Sequence, residues 1–452
     1  MKYRAYAEYK DSEVEWLGEV PSDWEMWKLN HAFEMIGSGT TPPSGSDEWY
    51  GGDVPWVTTG ELRENEIFST TKKVTEETIR KFPTLRKYPQ GSIVIAMYGA
   101  TIGRLGVLAV EATTNQACCV MTKSKEIDNK YLYYWLQAFR QDIVNLASGG
   151  GQPNINQEVV ASLKISASNN LSQQKITNFL DHETAKIDTL IEKQKQLIKL
   201  LKEKRQAVIS HAVTKGLNPN ASMRDSGVEW LGEVPEHWNY GRLIYMCERL
   251  VDGTHHSPES HFQGDYLYIT AKNIKENGFD FSEITYLTEK DHRDIFSRCS
   301  VQKGDVLYIK DGATAGIAMV NYLDDEFSML SSVALIRPMK SKVIPSFLAY
   351  HLNASQFKNN AINQLVGGAM TRFTLDMISR FILSLPPIDE QNKIVDFLNN
   401  KTVKFEKLIE NANSAINLMQ ERRTALISAA VTGKIDVRNW EAPNKENKKA
   451  AL

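Results

Sequence analysis

Residues 171–212 and 389–430 each carry apolar side chains at helical spacing over a length that no isolated surface helix needs. The first stretch has Ile176, Leu180, Ile187, Leu190, Leu197, Leu201 and Val208; the second has Ile394, Leu398, Phe405, Leu408, Ala412, Ala415, Met419 and Leu426. The intervals are three and four residues or their sums, which places each set on one stripe of a long helix. A shift of 218 positions superposes the two: Lys175-Ile176 on Lys393-Ile394, Phe179-Leu180 on Phe397-Leu398, Leu190-Ile191-Glu192 on Leu408-Ile409-Glu410. Lys, Glu and Gln fill the other faces, so each stripe needs a partner, and the nearest partner is the other copy. The seam is expected at Ile187, Leu190, Leu197 and Leu201 against Phe405, Leu408, Ala415 and Met419.

The duplication extends beyond the helices. DSEVEWLGEVPSDW at 11–24 returns as DSGVEWLGEVPEHW at 225–238, with 11 of 14 positions identical. A repeat of this length identifies a tandem copy of the whole unit. The paired tryptophans Trp16/Trp24 and Trp230/Trp238 could stack bases or staple an extended segment to a core. Between this tryptophan motif and the helix lies a block in each copy, 27–167 and 242–387. Short β-branched runs predict strands at 55–58, 92–96 and 106–110, with counterparts at 266–270, 305–309 and 317–320. Gly99-Ala100-Thr101 with Gly103 matches Gly312-Ala313-Thr314 with Gly316, Gly149-Gly150 matches Gly367-Gly368, and 131–136 matches 347–352 as a helix. Elsewhere the blocks differ freely, as expected of modules doing one job on two targets, or of loops that simply drift.

Composition excludes several classes. The 452 residues hold 42% hydrophobic and 24% charged side chains, and no run suits a membrane span. The polar start, Met1-Lys2-Tyr3-Arg4, leads us to expect no signal peptide, and Cys118, Cys119, Cys247 and Cys299 have no paired spacing, which suits reduced thiols in a cytoplasm. The formal net charge of −2 argues against a uniformly basic nucleic-acid surface, so any DNA contact must be local or shared with a partner. No GxxxxGK[ST], HExxH or Asn/Asp-Pro-Pro-aromatic motif is present. Asp23, Glu25 and Lys28 have the wrong spacing for a nuclease metal site. His255, His256 and His261 look metal-like, but they sit in a Gly/Pro loop whose duplicate has no histidine, so a polar loop is expected and no metal site.

Taken together, WLGEVP-x2-W before each block, the GAT-x-G loops, Pro-Pro-Ile-x-Glu-Gln-x-x-Ile-x-x-Phe-Leu at 386–398 and the helix ends AVTKG and AVTGK resemble the specificity subunit of type I restriction-modification systems. The first helix start, Ser168 to Gln174, departs from the pattern by lacking the double proline. The resemblance implies an α+β fold: two tandem-duplicated, α/β-mixed target recognition domains joined by two long antiparallel coiled-coil helices with pseudo-twofold symmetry. The expected division is 1–168 and 217–387 for the recognition domains, 169–216 and 388–435 for the spacer helices, and a disordered tail at 436–452.

Each recognition domain would read half of a split double-stranded DNA site, with the helices as ruler. Two methyltransferase subunits and restriction/translocase subunits would be the partners, and the chain itself would perform no chemistry. S-adenosylmethionine, ATP and Mg are expected only on those partners. Candidate base-reading residues are Thr58, Thr59, Tyr98, Thr101, Arg104, Gln152 and Asn154 in block one. In block two they are His255, His256, Lys272, Asn273, Lys310, Asp311, Thr371 and Arg372. The rival readings are a stand-alone nuclease or methyltransferase, against which the missing motifs count, and a coiled-coil protein-interaction scaffold without DNA specificity.

Overall fold

The computed structural model describes residues 3–45, 47–147, 154–363 and 372–442. Two helices dominate it, Asn170–Lys215 and Ile388–Val431. The chain divides into two units, residues 1–194 with 414–452 and residues 195–413, so each unit contains one half of each long helix.

In the first unit, Ile176, Phe179 and Leu180 share a core with Ile427, Ala430 and Val431, while Asp188 meets Arg423 at 3.0 Å. Moving up one helix therefore moves down the other, and the two halves are antiparallel. In the second unit Ile209, Ala212 and Val213 share a core with Ile394, Val395 and Leu398, while Arg205 meets Glu406 at 3.9 Å. The same sense follows.

Burial corrects the phase of the expected seam. Ile187 and Ile191 are buried, and Ile198 and Leu201 are partly so, whereas Leu190 (49% exposed) and Leu197 (43%) face outward. On the C-terminal helix Phe405, Ile409, Ala415 and Met419 are partly buried and Leu408 is half exposed. Two stripes share residues 187, 194 and 201 and differ by one residue between them, a rotation of about 100°. The docking of Leu180 and Thr184 against the first block selects the stripe through Ile191.

Each block is closed on itself by a strand pair. Glu25–Lys28 pairs antiparallel with Lys164–Ala167, and Asn239–Arg242 pairs with Ile382–Leu385, so the strand after the tryptophan motif meets the strand that enters the helix. Block one carries a five-stranded sheet in the order Ile36–Ser38, Cys118–Met121, Ile93–Ala96, Leu105–Leu108, Asn65–Ile67. Block two has the first four of these as Cys247–Asp252, Val333–Pro338, Val306–Ile309 and Ala318–Val320. In place of the fifth strand, Ile274–Lys275 folds back on Gly278–Phe279 as a hairpin. A second sheet follows in both, with Tyr50–Val57 or Tyr266–Ile269 as its middle strand.

The tryptophans act as staples. Trp24 and Trp238 are fully buried, Trp16 packs edge-on against Trp135 and Phe139, and Trp230 packs against Phe357. A glutamine at the start of each helix completes the join. Buried Gln173 accepts from the Asp128 amide (2.8 Å) and donates to the carbonyls of Glu126 and Ser168, and Gln391 does the same with Ile344, Lys342 and Pro386. A buried side-chain amide whose partners are all backbone groups fixes both the helix axis and the block's edge.

The segment after the C-terminal helix is ordered at its start, contrary to the tail expected from 436. Asp436 bridges to Arg4, Val437 is buried, and Trp440 lies edge-on to Phe179 at 5.5 Å. Arg438 covers the Tyr6 ring at 4.6 Å and pairs with Asp436 at 2.7 Å. Two apolar side chains in this polar stretch find a core, and that is enough to order it.

Candidate nucleic-acid interface

In both blocks the middle strand of the second sheet runs directly into a single 3-10 turn. Thr58 caps Thr59–Glu61, with Glu61 Oε2 accepting from the Thr58 amide and hydroxyl at 2.6 and 2.8 Å. Thr270 caps Ala271–Asn273, and Asn273 Oδ1 accepts from the Thr270 amide and hydroxyl at 3.0 Å each. A capping box holds so short a turn rigid by satisfying donors that would otherwise be free. The side chains that remain outside the box project beside a cleft.

Around Thr58 the cleft measures about 960 Å³ and is lined by Thr41, Trp56, Arg63, Phe68 and Lys72. Beside Lys272 it measures about 480 Å³, with Lys275, Asp280, Asp311 and Thr314 in its walls. Phe68 is 68% exposed, and Phe281, next to Asp280, is 42% exposed. Each block thus exposes a phenylalanine a few residues beyond its capped turn, a side chain type able to stack on a flat ring, and the sequence reading did not single them out. The signal was there as Phe68-Ser69 and Phe281-Ser282, 213 positions apart. Phe262, in the loop after His261, is 83% exposed and was also missed.

The glycine loops form a second element. Ile93–Ala96 leads to Tyr98 and the turn Gly99–Thr101, where the Thr101 hydroxyl donates to the Tyr98 carbonyl at 3.1 Å. Asn154 bridges Tyr98 across this loop, and Arg372 bridges Asp311 in block two. Asn115 joins the two elements of block one: its amide donates to Val57, and Ala117 accepts from Met97. In block two Ser332 does so, accepting from the Lys310 amide on its carbonyl and from the Ala271 amide on its hydroxyl. Thr58 and Thr59 thus belong to the capped turn, and Tyr98, Thr101 and Asn154 to the glycine turn joined to it. Arg104 is half-buried behind it and has no ion pair among the described residues. Gln152 and Thr371 lie outside the described residues.

Two candidates of block two are corrected. Asn273 is buried, and its amide is consumed by the cap and by donation to the Asp280 carbonyl at 3.1 Å, so it shapes the turn rather than reaching outward. Lys310 is also buried, its ammonium 3.3 Å from Asp252 and 3.5 Å from Asp311. A buried charge must be paired, and here one lysine bridges two carboxylates, the second positive charge coming from Arg372 on Asp311. Asp252 also meets His255 at 3.2 Å, and Asp311 meets Arg372 at 3.4 Å. His255, His256, Lys272 and Arg372 are exposed, and of these His255 and Arg372 join the cluster. His261 bridges Tyr286, and among the described residues no group of three or more His, Cys, Asp or Glu is placed to hold a metal.

A chain built of two sheet-based blocks, each stapled to long helices and each carrying the same pair of loops, is of the class that presents two related recognition surfaces. The type I restriction modification DNA specificity domain matches it twice, over residues 21–200 and 235–417, and the chain belongs to that family. Among curated proteins it is 23% identical to the MjaIX specificity subunit of Methanocaldococcus jannaschii, over 97% of this chain and 98% of that one. It is 21% identical to the EcoKI specificity subunit of Escherichia coli, over 96% and 95%. Among solved structures it resembles a chain of a type I R-M system at a TM-score of 0.69 and 16% identity, covering 92% of this chain and 99% of that one. The HsdS subunit from Thermoanaerobacter tengcongensis follows at 0.50 and 16%, covering 92% and 98%. These likenesses establish the fold. No described helix is long and apolar enough to cross a membrane.

Proposed function

We propose that each block reads one half of a split DNA site, and that the paired helices set the spacing and dock two methyltransferase subunits, which restriction/translocase subunits then join. In this reading 1–168 and 217–387 are the recognition domains and 169–216 and 388–435 the spacers. The chain does no chemistry: the methyl transfer and its S-adenosylmethionine belong to the partner, which flips the target adenine. The observation that carries the reading is a cleft beside the capped turn in both blocks, with a glycine loop joined to that turn through Asn115 or Ser332. Such rigid loops can hold polar side chains against base edges while lysines and arginines hold phosphates. The modest net charge leaves the partner to close around the duplex.

The test is to map methylated adenines in the host, then exchange residues 27–167 for the block of a relative. One half of the methylated sequence should change while the other half and the spacer stay. Changes in both halves would refute modular reading; an unchanged site would favour a scaffold without DNA specificity.

A further inference from the structure

Three residues beyond each capped turn stands a glutamate in matching sequence, Arg63-Glu64-Asn65 and Lys275-Glu276-Asn277. Each meets a cation on a helix of its own block. Glu64 is 3.3 Å from Arg140, and Glu276 is 2.8 Å from Lys358. Arg140 and Lys358 are themselves equivalent, 218 positions apart, the offset of the long helices. Glu276 is also 3.5 Å from Arg205 on the central helix, and Glu64 and Arg140 line a cavity of about 570 Å³ with Arg423, the counterpart of Arg205. The backbone adds a further sign. Glu64 has φ of 54°, a conformation that a side chain with a Cβ adopts at a cost.

The blocks have otherwise drifted, so an ion pair kept with both partners in register calls for a common cause. Each turn is anchored on one side by a buried side chain, Leu62 or Ile274. The backbone beyond it enters the strand Asn65–Ile67 or the hairpin from Ile274, and the glutamate adds a side-chain tie from there to a helix. We infer that Glu64 and Glu276 are positioning residues for recognition: each latches its reading turn to its block's helix, and Glu276 also ties its turn through Arg205 to the spacer helix. The orientation of Thr58 and Thr59, or of Lys272, then depends on the latch. The inference rests on the proposed DNA reading and adds the group that sets its fidelity. The second latch is the stronger, because Glu276, Lys358 and Arg205 are 20–27% exposed against 37–42% for Glu64 and Arg140.

The test uses the full chain assembled with its methyltransferase in the host. The wild-type methylation map decides the DNA reading; the ratio of variant to wild type decides the latch. Glu276→Gln and Lys358→Met should each lower discrimination against single mismatches in the half read by block two by about fivefold, the ceiling for a partly exposed pair. Discrimination in the other half should not move. Lys358→Arg, which copies the first repeat, should retain wild-type fidelity. In parallel, amide exchange over 270–276 should quicken in Glu276→Gln and Lys358→Met but not in Lys358→Arg. Unchanged exchange, unchanged discrimination, or an equal loss in both halves with a lowered melting temperature would each overturn the latch.

Discussion

Ile191 and Leu190 are adjacent, both aliphatic, and both on a plausible stripe, so replacing each by aspartate tests which face of the central helix is the seam. Ile191 is 7% exposed, and its burial contributes about 1.5–3 kcal/mol. An aspartate there also forces a carboxylate against apolar groups, which adds a few kcal/mol even if it protonates or bends toward water, for a total of about 4 kcal/mol. Leu190 is half exposed; an aspartate there stays hydrated and removes at most about 1 kcal/mol of contact. For a unit of this size each kcal/mol moves the melting temperature by about 2–4 °C. Ile191→Asp should therefore melt roughly 8–16 °C below the parent, and Leu190→Asp less than about 4 °C below it. Calorimetry of the full chain, with circular dichroism to follow helix content, gives both numbers. Equal losses, or a larger loss at Leu190, would refute the seam phase and the reasoning from burial behind it.

Other perturbations bear on separate parts of the structure. His351 lies wholly buried with Nε2 accepting from the Ser384 amide at 3.2 Å, and burial pushes its imidazole down to about 3. Its folded value is below the unfolded one near 6.5, so unfolding takes up a proton as pH falls below about 6.5; stability is full above that and declines toward 3 by up to about 1.4 kcal/mol per pH unit. Melting of His351→Gln should show a shallower slope than the parent between pH 6.5 and 4.5. Gly433 has φ of 71°, and a Cβ there would fall 2.3 Å from Pro21 Cγ, so Gly433→Ala should cost more than the usual 1 kcal/mol of a glycine cap, read by urea unfolding. Four residues inserted at Gln194–Lys195 and four at Ala412–Asn413 lengthen each helix by about 6 Å and rotate the stripe by only about 40°. The spacer of the methylated site should then grow by one or two base pairs, at about 3.4 Å each; an active complex with an unmoved spacer would show that the helices are not the ruler.

What the sequence made legible follows from the range of the physics involved. Helix extent and duplication are local and repetitive, so period and identity carry them. The seam phase is not local. Stripes through Leu190 and through Ile191 are equally periodic, and only the docking of Phe179, Leu180 and Thr184 against the first block separates them. Lys310 read as a surface cation because it follows a strand and precedes a glycine turn, but its main partner, Asp252, is 58 positions away. Asn273 was more tractable. Thr270-x-x-Asn273 has the spacing of Thr58-x-x-Glu61, and a capping reading would have placed it inside the turn. Val437 and Trp440 likewise break the polarity of the tail in the sequence itself.

The uneven drift between the repeats has a structural reason. Each unit is closed by a helix end that the other repeat supplies. In the first, the Tyr131 hydroxyl lies 3.0 Å from the Val431 carbonyl, and Gly433 passes against Pro21 and Trp24. In the second, the Ser384 hydroxyl donates to the Val213 carbonyl, and Gly216 passes against Trp238 and Glu390. A tryptophan motif therefore cannot change to suit its own repeat alone, since it must still receive the other repeat's helix end, which lies at the far end of the chain for Trp24 and directly before the motif for Trp238. Substitutions in one copy of the motif or of the helix end meet a partner in the opposite copy, which couples the two copies and holds them alike. The side chains that line the clefts beside Thr58 and Lys272 belong to their own blocks. Those side chains, and not the turns that carry them, are the parts free to diverge, and so the parts where two different surfaces can arise on one scaffold.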